Sequence, residues 1–459
     1  MSTPYAAFLD ARRQLADRGG FVPTHVPDHL FDFQQVLVDF AVRQGRAGMF
    51  ADCGLGKTPM SLAWAQNVHE HTGKPILFLT PLAVGFQVVA EAHRFGYDAA
   101  QSRNGKVVAP VTVTNYEQLG KFDHADFGGV VCDESSILKA FDGTTRAQVT
   151  EFMRLLPYRL LCTATAAPND YIELGTSSEA LGGLGYTDML TRFFTNKNRT
   201  VSSRSRFAAT SRDVGWRLKG HAEEPFWRWV ATWARAIRRP SDYGFDDGTF
   251  VLPELLERVH MVDARTSRPD ALFDLPARGL REEREETRRS IAERCEAAAA
   301  ALEDADHAVA WCHLNDESHR LTRLIDGAVE VAGADSPGVK EEKLAAFTRG
   351  EIRVLVTKPS IGAWGLNWQH AHRMTYFPSH SYEQMYQAIR RLWRFGQTRT
   401  VEVDVITTEG CRSVLDNLHR KAAQADAMFA ALVAHMNDAL AVPTHSYDQP
   451  MEVPTWLAS

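Results

Sequence analysis

The amino-acid sequence predicts an α/β protein of two lobes, each built on a parallel β-sheet, with a basic, mainly helical insertion between them. Three observations carry this expectation. Short β-branched and apolar runs alternate with stretches of helical spacing, the pattern of β-α-β units and a parallel sheet. That series stops, then restarts near residue 309. Between the two series lies a segment whose composition belongs to neither. A chain of 459 residues with 44% apolar, 24% charged and 10% aromatic content is long enough for two or three domains, each with its own core.

In chain order, residues 1–17 read as a short amphipathic helix with no basic segment ahead of an apolar core, so they are not expected to be a signal peptide. Strands are expected at 47–50, 76–80, 111–114, 130–132 and 159–162, with helices over 59–71 and 145–156; this first lobe spans 1–175. From about Thr176 to Phe250 the chain turns basic and aromatic, and an insertion is expected over 176–255. Between Arg192 and Arg239 there are twelve Lys or Arg against three Asp or Glu, a local +9 on a chain of net charge −6. Phe226, Trp229, Val230 and Trp233 fall at i, i+3, i+4 and i+7, the stripe of a buried helix face, which favours core packing over base stacking. A charged helix over 281–306 then leads into a second lobe spanning 256–425. Its strands are expected at 309–312, 352–357, 374–377 and 401–406, its helices around 317–325, 340–347 and 382–393, and a helix and tail over 426–459 complete the chain.

Several classes are excluded. No apolar run approaches the roughly 18 residues of a membrane span, so no membrane partner and a cytoplasmic location are expected. The six cysteines form no CxxC pair and no Cys/His ligand spacing, so reduced thiols are expected rather than zinc or disulfides. His370 and His372 lack a third ligand at suitable spacing. Asp335 with Glu341 and Glu342 sits on a helical pattern where a nuclease centre wants strands.

The sharpest local signal is Ala51-Asp-Cys-Gly-Leu-Gly-Lys-Thr58, after a strand and opening a helix. Gly54 and Gly56 let backbone N–H groups turn toward phosphate oxygens, Lys57 reaches the β and γ phosphates, and Thr58 supplies a hydroxyl to Mg²⁺. Pro59 falls in the first helical turn, where its missing N–H costs nothing. The run Val130-Val-Cys-Asp-Glu134 ends an apolar strand in two acids, Asp133 suited to hold the metal and Glu134 to take a proton from an attacking water. In Gln387-Ala-Ile-Arg-Arg-Leu-Trp-Arg-Phe-Gly-Gln397, Arg391 and Arg394 stand three apart on one helix face, so both can point at one anion held by the other lobe.

Together with Thr80-Pro-Leu82, Thr114-Asn-Tyr-Glu117, Asp133-Glu-Ser-Ser136, Thr163-Ala-Thr165 and Gly365-Leu-Asn367, these residues resemble the superfamily-two helicases, and within them the Swi/Snf-type DNA translocases. Residues 387–397 match that group's Q-A-x-x-R-x-x-R-x-G-Q. Thr357-Lys-Pro-Ser360 and Gly365-Leu-Asn-Trp-Gln369 are similar to stretches of the compact helicases encoded by bacteriophages and prophages. The resemblance covers about residues 30–425. It implies two RecA-like lobes and an ATP-dependent DNA helicase or translocase that moves along double-stranded DNA without sequence preference, with ATP and Mg²⁺, in phage or prophage DNA metabolism; the oligomeric state is left open, with a monomer favoured. An unidentified protein that recruits the motor fits the same picture.

On that resemblance Gln34, or its neighbour Gln35, recognises adenine. Gly365 and Gln387 join the ATP site, Arg391 and Arg394 are arginine fingers, and Thr163, Ala164 and Thr165 couple hydrolysis to lobe movement. Thr80, Pro81, Tyr116, Thr357 and Asn367 contact nucleic acid by the same analogy. The basic segment adds Arg199, Arg204, Arg206 and Arg212 as phosphate contacts. Ser135 and Ser136 depart from the Ala-His or Ala-Asp that often follows the paired acids, and the insertion does not match those of the remodellers. A small-molecule kinase or GTPase needs no second lobe of arginines. A non-motor ATP-gated DNA-binding protein and an RNA-directed helicase use the same parts and are separated by experiment.

Overall fold

The computed structural model describes residues 19–82, 84–139, 143–167, 170–196, 216–263, 280–362 and 366–441. The helix expected over 1–17, Gly365, and Arg199, Arg204, Arg206 and Arg212 lie outside the described residues. The first lobe runs α1 (Asp32–Gln44), β1 (Arg46–Ala51), α2 (Lys57–Thr72), β2 (Ile76–Thr80), α3 (Gly85–Arg94), β3 (Ala99–Gln101), β4 (Val111–Asn115), β5 (Gly129–Asp133), α4 (Thr144–Arg154) and β6 (Tyr158–Cys162). Then come α5 (Glu173–Leu181), α6 (Tyr186–Phe193), β7 (Phe194–Asn196), β8 (Trp216–Leu218), α7 (Glu223–Ala231) and β9 (Ala234–Ile237). The second lobe runs β10 (Leu255–Met261), α8 (Leu280–Arg289), α9 (Ile291–Ala301), β11 (Ala308–Trp311), α10 (Asn315–Leu324), β12 (Ala328–Val331), α11 (Pro337–Thr348), β13 (Val354–Thr357), α12 (Pro359–Gly362), β14 (Arg373–Tyr376), α13 (Tyr382–Leu392), β15 (Val401–Thr407) and α14 (Arg412–Ala441).

One sheet has seven strands in the order β3-β4-β2-β5-β6-β1-β9, the other six in the order β10-β15-β14-β11-β13-β12. Every pairing in both is parallel. This is the two-sheet α/β architecture of paired RecA-like lobes. Parallel strands need helices on both faces, which is why β2, β4 and β5 are buried at every position and read as unbroken apolar or β-branched runs. Two helix starts in the second lobe carry side-chain caps. The Ser336 hydroxyl accepts the Val339 N–H ahead of Pro337 in α11, and Ser381 accepts the Gln384 N–H at the start of α13.

Three elements differ from expectation. Residues 234–237, inside the expected insertion, form β9 and pair with β1 at the edge of the first sheet. The charged helix over 281–306 is two helices, parted at Ser290, whose hydroxyl donates to the Glu286 carbonyl at 2.8 Å. The helix around position 425 is continuous, since α14 places Leu415 and Leu418 in the core of the second lobe and Met428, Phe429 and Leu432 in that of the first. No helix among the described residues is long and apolar enough to cross a membrane.

The aromatic segment is core. Phe226, Trp227 and Val230 are fully buried and Trp233 nearly so, while Trp229 is only partly covered. The stripe is shifted onto Trp227 because α14 packs across α7, where the His435 ring stacks on Trp227 at 6.4 Å. Arg238 pairs with Asp426 of α14 at 2.9 Å and lies over the Phe429 ring at 4.9 Å, so the basic segment itself holds the long helix down. Phe429→Ala is therefore expected to destabilise the first lobe by about 3–5 kcal/mol although the residue belongs to the C-terminal helix. Urea unfolding followed by tryptophan fluorescence checks this; an unchanged midpoint would show that α14 adds nothing to that core.

Candidate nucleotide site between the lobes

The carboxyl ends of β1, β2, β5 and β6 meet at one edge of the first sheet, where open parallel sheets bind ligands. After β1 the chain turns through Asp52–Gly56 into α2, with Gly54 at φ +88° and Gly56 at φ +78°, values open to glycine. Space demands glycine as well. A Cβ on Gly56 would lie 2.3 Å from Gln34 Nε2, and one on Gly54 would lie 2.7 Å from the backbone nitrogen of Phe395 in the second lobe. Gln34 is buried on α1, donates Nε2 to the Leu55 carbonyl at 2.9 Å and accepts the Phe31 N–H at 3.0 Å. Gln35 donates to the Leu30 carbonyl instead, so of the two glutamines Gln34 is the one on the loop. Lys57 Nζ donates to the carbonyls of Ala51 and Asp52 at 3.1 and 3.4 Å, and Thr58 follows it in the first turn of α2, partly exposed.

Asp133 and Glu134 end β5 beside this loop. Burial, and then the Glu134 charge, raise the Asp133 carboxyl to about 7, while Lys57 acts in the opposite sense. The Thr80 hydroxyl donates to Asp133 Oδ2 at 3.3 Å and the Tyr116 hydroxyl to the Asp133 carbonyl at 2.6 Å. Glu134 has φ +51°, the one non-glycine residue with positive φ among the described residues. A side chain held in that region stores about 1–3 kcal/mol of strain and marks a position constrained by its surroundings. Its Oε2 is buried with no hydrogen-bond partner among the described residues, and the side chain borders a cavity of about 480 Å³ that Pro81 and Tyr116 share with Leu344 and Ile361 of the second lobe.

Thr163, Ala164 and Thr165 follow β6, the Thr165 N–H donating to the Thr163 hydroxyl at 3.0 Å. Ala164 and Thr165 border a second interlobe cavity of about 380 Å³ together with Asp52, Tyr386 and Arg390. From the other lobe, Arg391 reaches the loop from α13, whereas Arg394, expected on the same helix face, lies beyond the helix, which ends at Leu392 with Trp393 as its C-cap. Arg391 is 2% exposed, donates to the Leu366 carbonyl at 2.9 Å and to Gln387 Oε1 at 2.9 Å, and reaches 4.0 Å from Cys53 Sγ. Arg394 donates to the same Leu366 carbonyl at 3.2 Å. Burial, and then the Arg391 charge, pull its guanidinium down to about 10. Arg394 Nε and Gln387 Nε2 are buried donors without a partner among the described residues.

The structure thus brings Gln34, Gly54, Gly56, Lys57, Thr58, Asp133, Glu134, Gln387, Arg391 and Arg394 around one cleft. It corrects three of the expected nucleic-acid contacts. Thr80, Tyr116 and Thr357 are 0%, 3% and 0% exposed, and their hydroxyls are taken by Asp133 and, for Thr357, by the Val331 carbonyl at 3.1 Å. Thr80 and Thr357 support the cleft from behind, while Tyr116, its hydroxyl engaged, also lines the interlobe cavity. Pro81 and Asn367 remain partly exposed, and Asn367 Oδ1 is without a partner among the described residues. Sequence reasoning missed Asp52, Tyr386 and Arg390. Asp52 accepts hydrogen bonds from the Tyr386 hydroxyl and the Arg390 guanidinium across the cleft. An acid inside a phosphate-type loop, with three arginines within residues 390–394, was the available signal.

Orphaned donors beside a glycine-rich helix N-terminus fit a bound polyanion, and a Thr hydroxyl with a carboxylate is a donor set suited to Mg²⁺. Among the described residues no cluster of three His, Cys, Asp or Glu forms a metal site; Asp335 is tied to Lys343 at 2.9 Å.

No protein-family model matches this chain, and no curated protein matches it in sequence. Among solved structures it is similar to the Sulfolobus solfataricus SWI2/SNF2 ATPase core in complex with dsDNA, at 15% identity over 91% of this chain and 96% of that one, with a TM-score of 0.42. It is also similar to the DUF1998 helicase MrfA bound to DNA, at 12% identity, covering 82% of this chain and 46% of that one, with a TM-score of 0.51. What this chain shares with MrfA at that identity is the fold.

Gly54→Ala is expected to force the loop off Phe395 as well as to strain the backbone, lowering the melting temperature and enlarging the radius of gyration in solution scattering. Gly73→Ala is the control, since its φ is +66° but its Cβ would meet nothing within 4 Å. An equal effect of both variants on size and melting would show that the second lobe does not rest on Gly54.

Proposed function

We propose that this protein is an ATP-driven motor on DNA, in which the two lobes share one nucleotide. The observation that carries the reading is the meeting of the glycine loop and Lys57 with Arg391 and Arg394 of the opposite lobe, where buried donors lack partners among the described residues. Backbone N–H groups of residues 54–58 and the Lys57 ammonium bind the phosphates. Glu134 orients the attacking water and takes its proton, while Arg391 and Arg394 meet the charge that develops on the γ-phosphoryl oxygens. Mg²⁺ held by Thr58 and Asp133 would neutralise the phosphate oxygens when bound. Gln34 contacts the loop from the side where adenine recognition is proposed. Loss of the γ-phosphate removes the shared ligand of the two lobes, and their opening and closing advances the protein along the backbone of duplex DNA. Binding through phosphates makes the motor indifferent to sequence. Thr163, Ala164 and Thr165, beside both the loop and α13, suit the role of passing the change between lobes.

Lys57→Ala is expected to weaken nucleotide binding, whereas Glu134→Gln keeps ATP and loses turnover. Arg391→Ala or Arg394→Ala is expected to lower kcat by on the order of a hundredfold with a smaller effect on ATP affinity. Steady-state ATPase assays with fluorescent-nucleotide binding read both, and wild-type turnover in Glu134→Gln would overturn the assignment.

For the substrate, duplex DNA is expected to stimulate ATP hydrolysis more than single strands or RNA, and the protein is expected to displace a triplex strand directionally. Stimulation by RNA equal to that by duplex would make it an RNA-directed enzyme; stimulation by duplex with no displacement would make it an ATP-gated binding protein. If Arg199, Arg204, Arg206 and Arg212 contact phosphates, changing all four to Ala reduces the slope of log affinity against log salt by about 0.9 per residue at unchanged melting temperature. A lowered melting temperature with an unaltered slope would assign these arginines to the protein's own acids instead.

A further inference from the structure

We propose that Arg390 is a positioning residue of the nucleotide site: with Tyr386 it clamps the Asp52 carboxylate of the glycine loop, cancels that charge, and sets Arg391 and Arg394 against the loop. The inference rests on the ATPase reading above and deepens it. A carboxylate inside a loop that binds phosphates opposes its own ligand unless a fixed cation neutralises it. Asp52 is such a group, 8% exposed. Its Oδ1 accepts the Cys53 N–H at 2.6 Å and the Tyr386 hydroxyl, and its Oδ2 accepts the Arg390 guanidinium. Both acceptor atoms are thereby occupied.

Arg390 is held as firmly. It is 6% exposed, lies over the rings of Trp393 at 4.7 Å and Tyr386 at 5.4 Å, and donates to the Trp393 carbonyl at 3.3 Å. The Trp393 indole N–H in turn donates to the Pro253 carbonyl at 2.7 Å, tying this end of α13 to the segment that joins the lobes. Successive helical residues point about 100° apart, so Arg390 reaches Asp52 while Arg391 reaches Cys53, and the helix straddles the loop. Fixing Arg390 on Asp52 fixes the rotation of α13, and with it where Arg391 and Arg394 stand.

The test separates charge from position. Arg390→Met leaves a buried carboxylate unpaired beside the phosphates, so ATP affinity and kcat are both expected to fall, each by on the order of tenfold or more. In the double variant Asp52→Asn with Arg390→Met the unpaired charge is gone, and affinity is expected to return to near wild type while kcat stays low. Tyr386→Phe, which keeps the ion pair and removes the two hydrogen bonds of the hydroxyl, one to Asp52 and one from Arg390 Nε, is expected to lower kcat at unchanged affinity, and it carries the test if Arg390→Met does not fold. Wild-type kcat in the double variant, or a parallel fall of affinity, kcat and melting temperature in every variant, would overturn the proposal and leave a merely structural contact.

A second measurement keeps the two readings apart. Energy transfer between dyes at the exposed Leu155 and Leu324, in the nucleotide-free protein, is expected to report one interlobe distance in wild type and a longer or broader one in Arg390→Met. If wild type hydrolyses no ATP and Lys57→Ala binds nucleotide as wild type does, the ATPase reading fails and the role in turnover fails with it. The distance then decides the clamp alone, an unchanged distribution overturning it.

Discussion

The contact on which the rest of the structure depends is that between the glycine loop after β1 and the end of α13. Gly54 has no side chain because the Phe395 backbone occupies that space, and Asp52 is buried because Arg390 and Tyr386 meet it there. Each requirement involves both lobes, so the loop conformation and the lobe arrangement are one structural fact. Other contacts hold the same arrangement from further out. Lys139 pairs with the buried Glu383 of α13, and Arg103 pairs with Glu341 of α11 at 2.7 Å. The α14 helix spans both cores. A pair such as Arg103 with Glu341, half exposed at the surface, contributes little by itself, whereas the covered pairs near the loop cannot lose one partner without stranding the other.

Charge burial explains the character of the cleft. Ordinary cores exclude ionised groups unless they are paired and hydrogen-bonded. Here Arg391 and Arg394 share one carbonyl oxygen, that of Leu366, and Asp133 and Glu134 stand side by side with Lys57 as the nearby cation. Like charges are thus gathered on each side of the cleft, arginines on one and carboxyls on the other, at a cost a purely structural core would not carry. Perturbed groups gathered in a cleft mark a candidate functional site. The glycines, the acids and the arginines lie far apart in the sequence, and only the juxtaposition of two sheets brings them together.

Much of the architecture was legible because buried parallel strands are continuous apolar runs. The strands at 76–80, 111–115, 129–133 and 401–407 coincide with the expected runs to within a residue or so at each end. What was not legible has physical causes. Strand β3 has three residues, and β9 interrupts its apolar pattern with Arg235, whose guanidinium lies over the Phe40 ring at 3.9 Å and so behaves as part of the packing. Strand β12 lies at a sheet edge and is only partly buried, which erases the apolar signal. In the site, the glycines, Lys57 and the acid pair could be read because each sits within one short motif. Arg390 could not, because its partner is 338 residues away and nothing local distinguishes it from Arg391.

The basic segment shows why charge counts and contacts must be weighed together. A local +9 suggests a surface for phosphates, yet several described arginines of that segment are engaged by the protein itself: Arg228 with Glu224, Arg239 with Asp242, and Arg238 with Asp426. Arg238 has a structural task that an isolated composition hides, since it joins the edge of the first sheet to the helix that leaves the second lobe. Of these arginines, Arg238 serves the docking of α14, beside the apolar contacts of Met428, Phe429 and Leu432. Because α14 begins in one core and ends in the other, any movement that separates the lobes must bend it or draw it out of one core. The helix thus ties the placement of one lobe to that of the other through both cores.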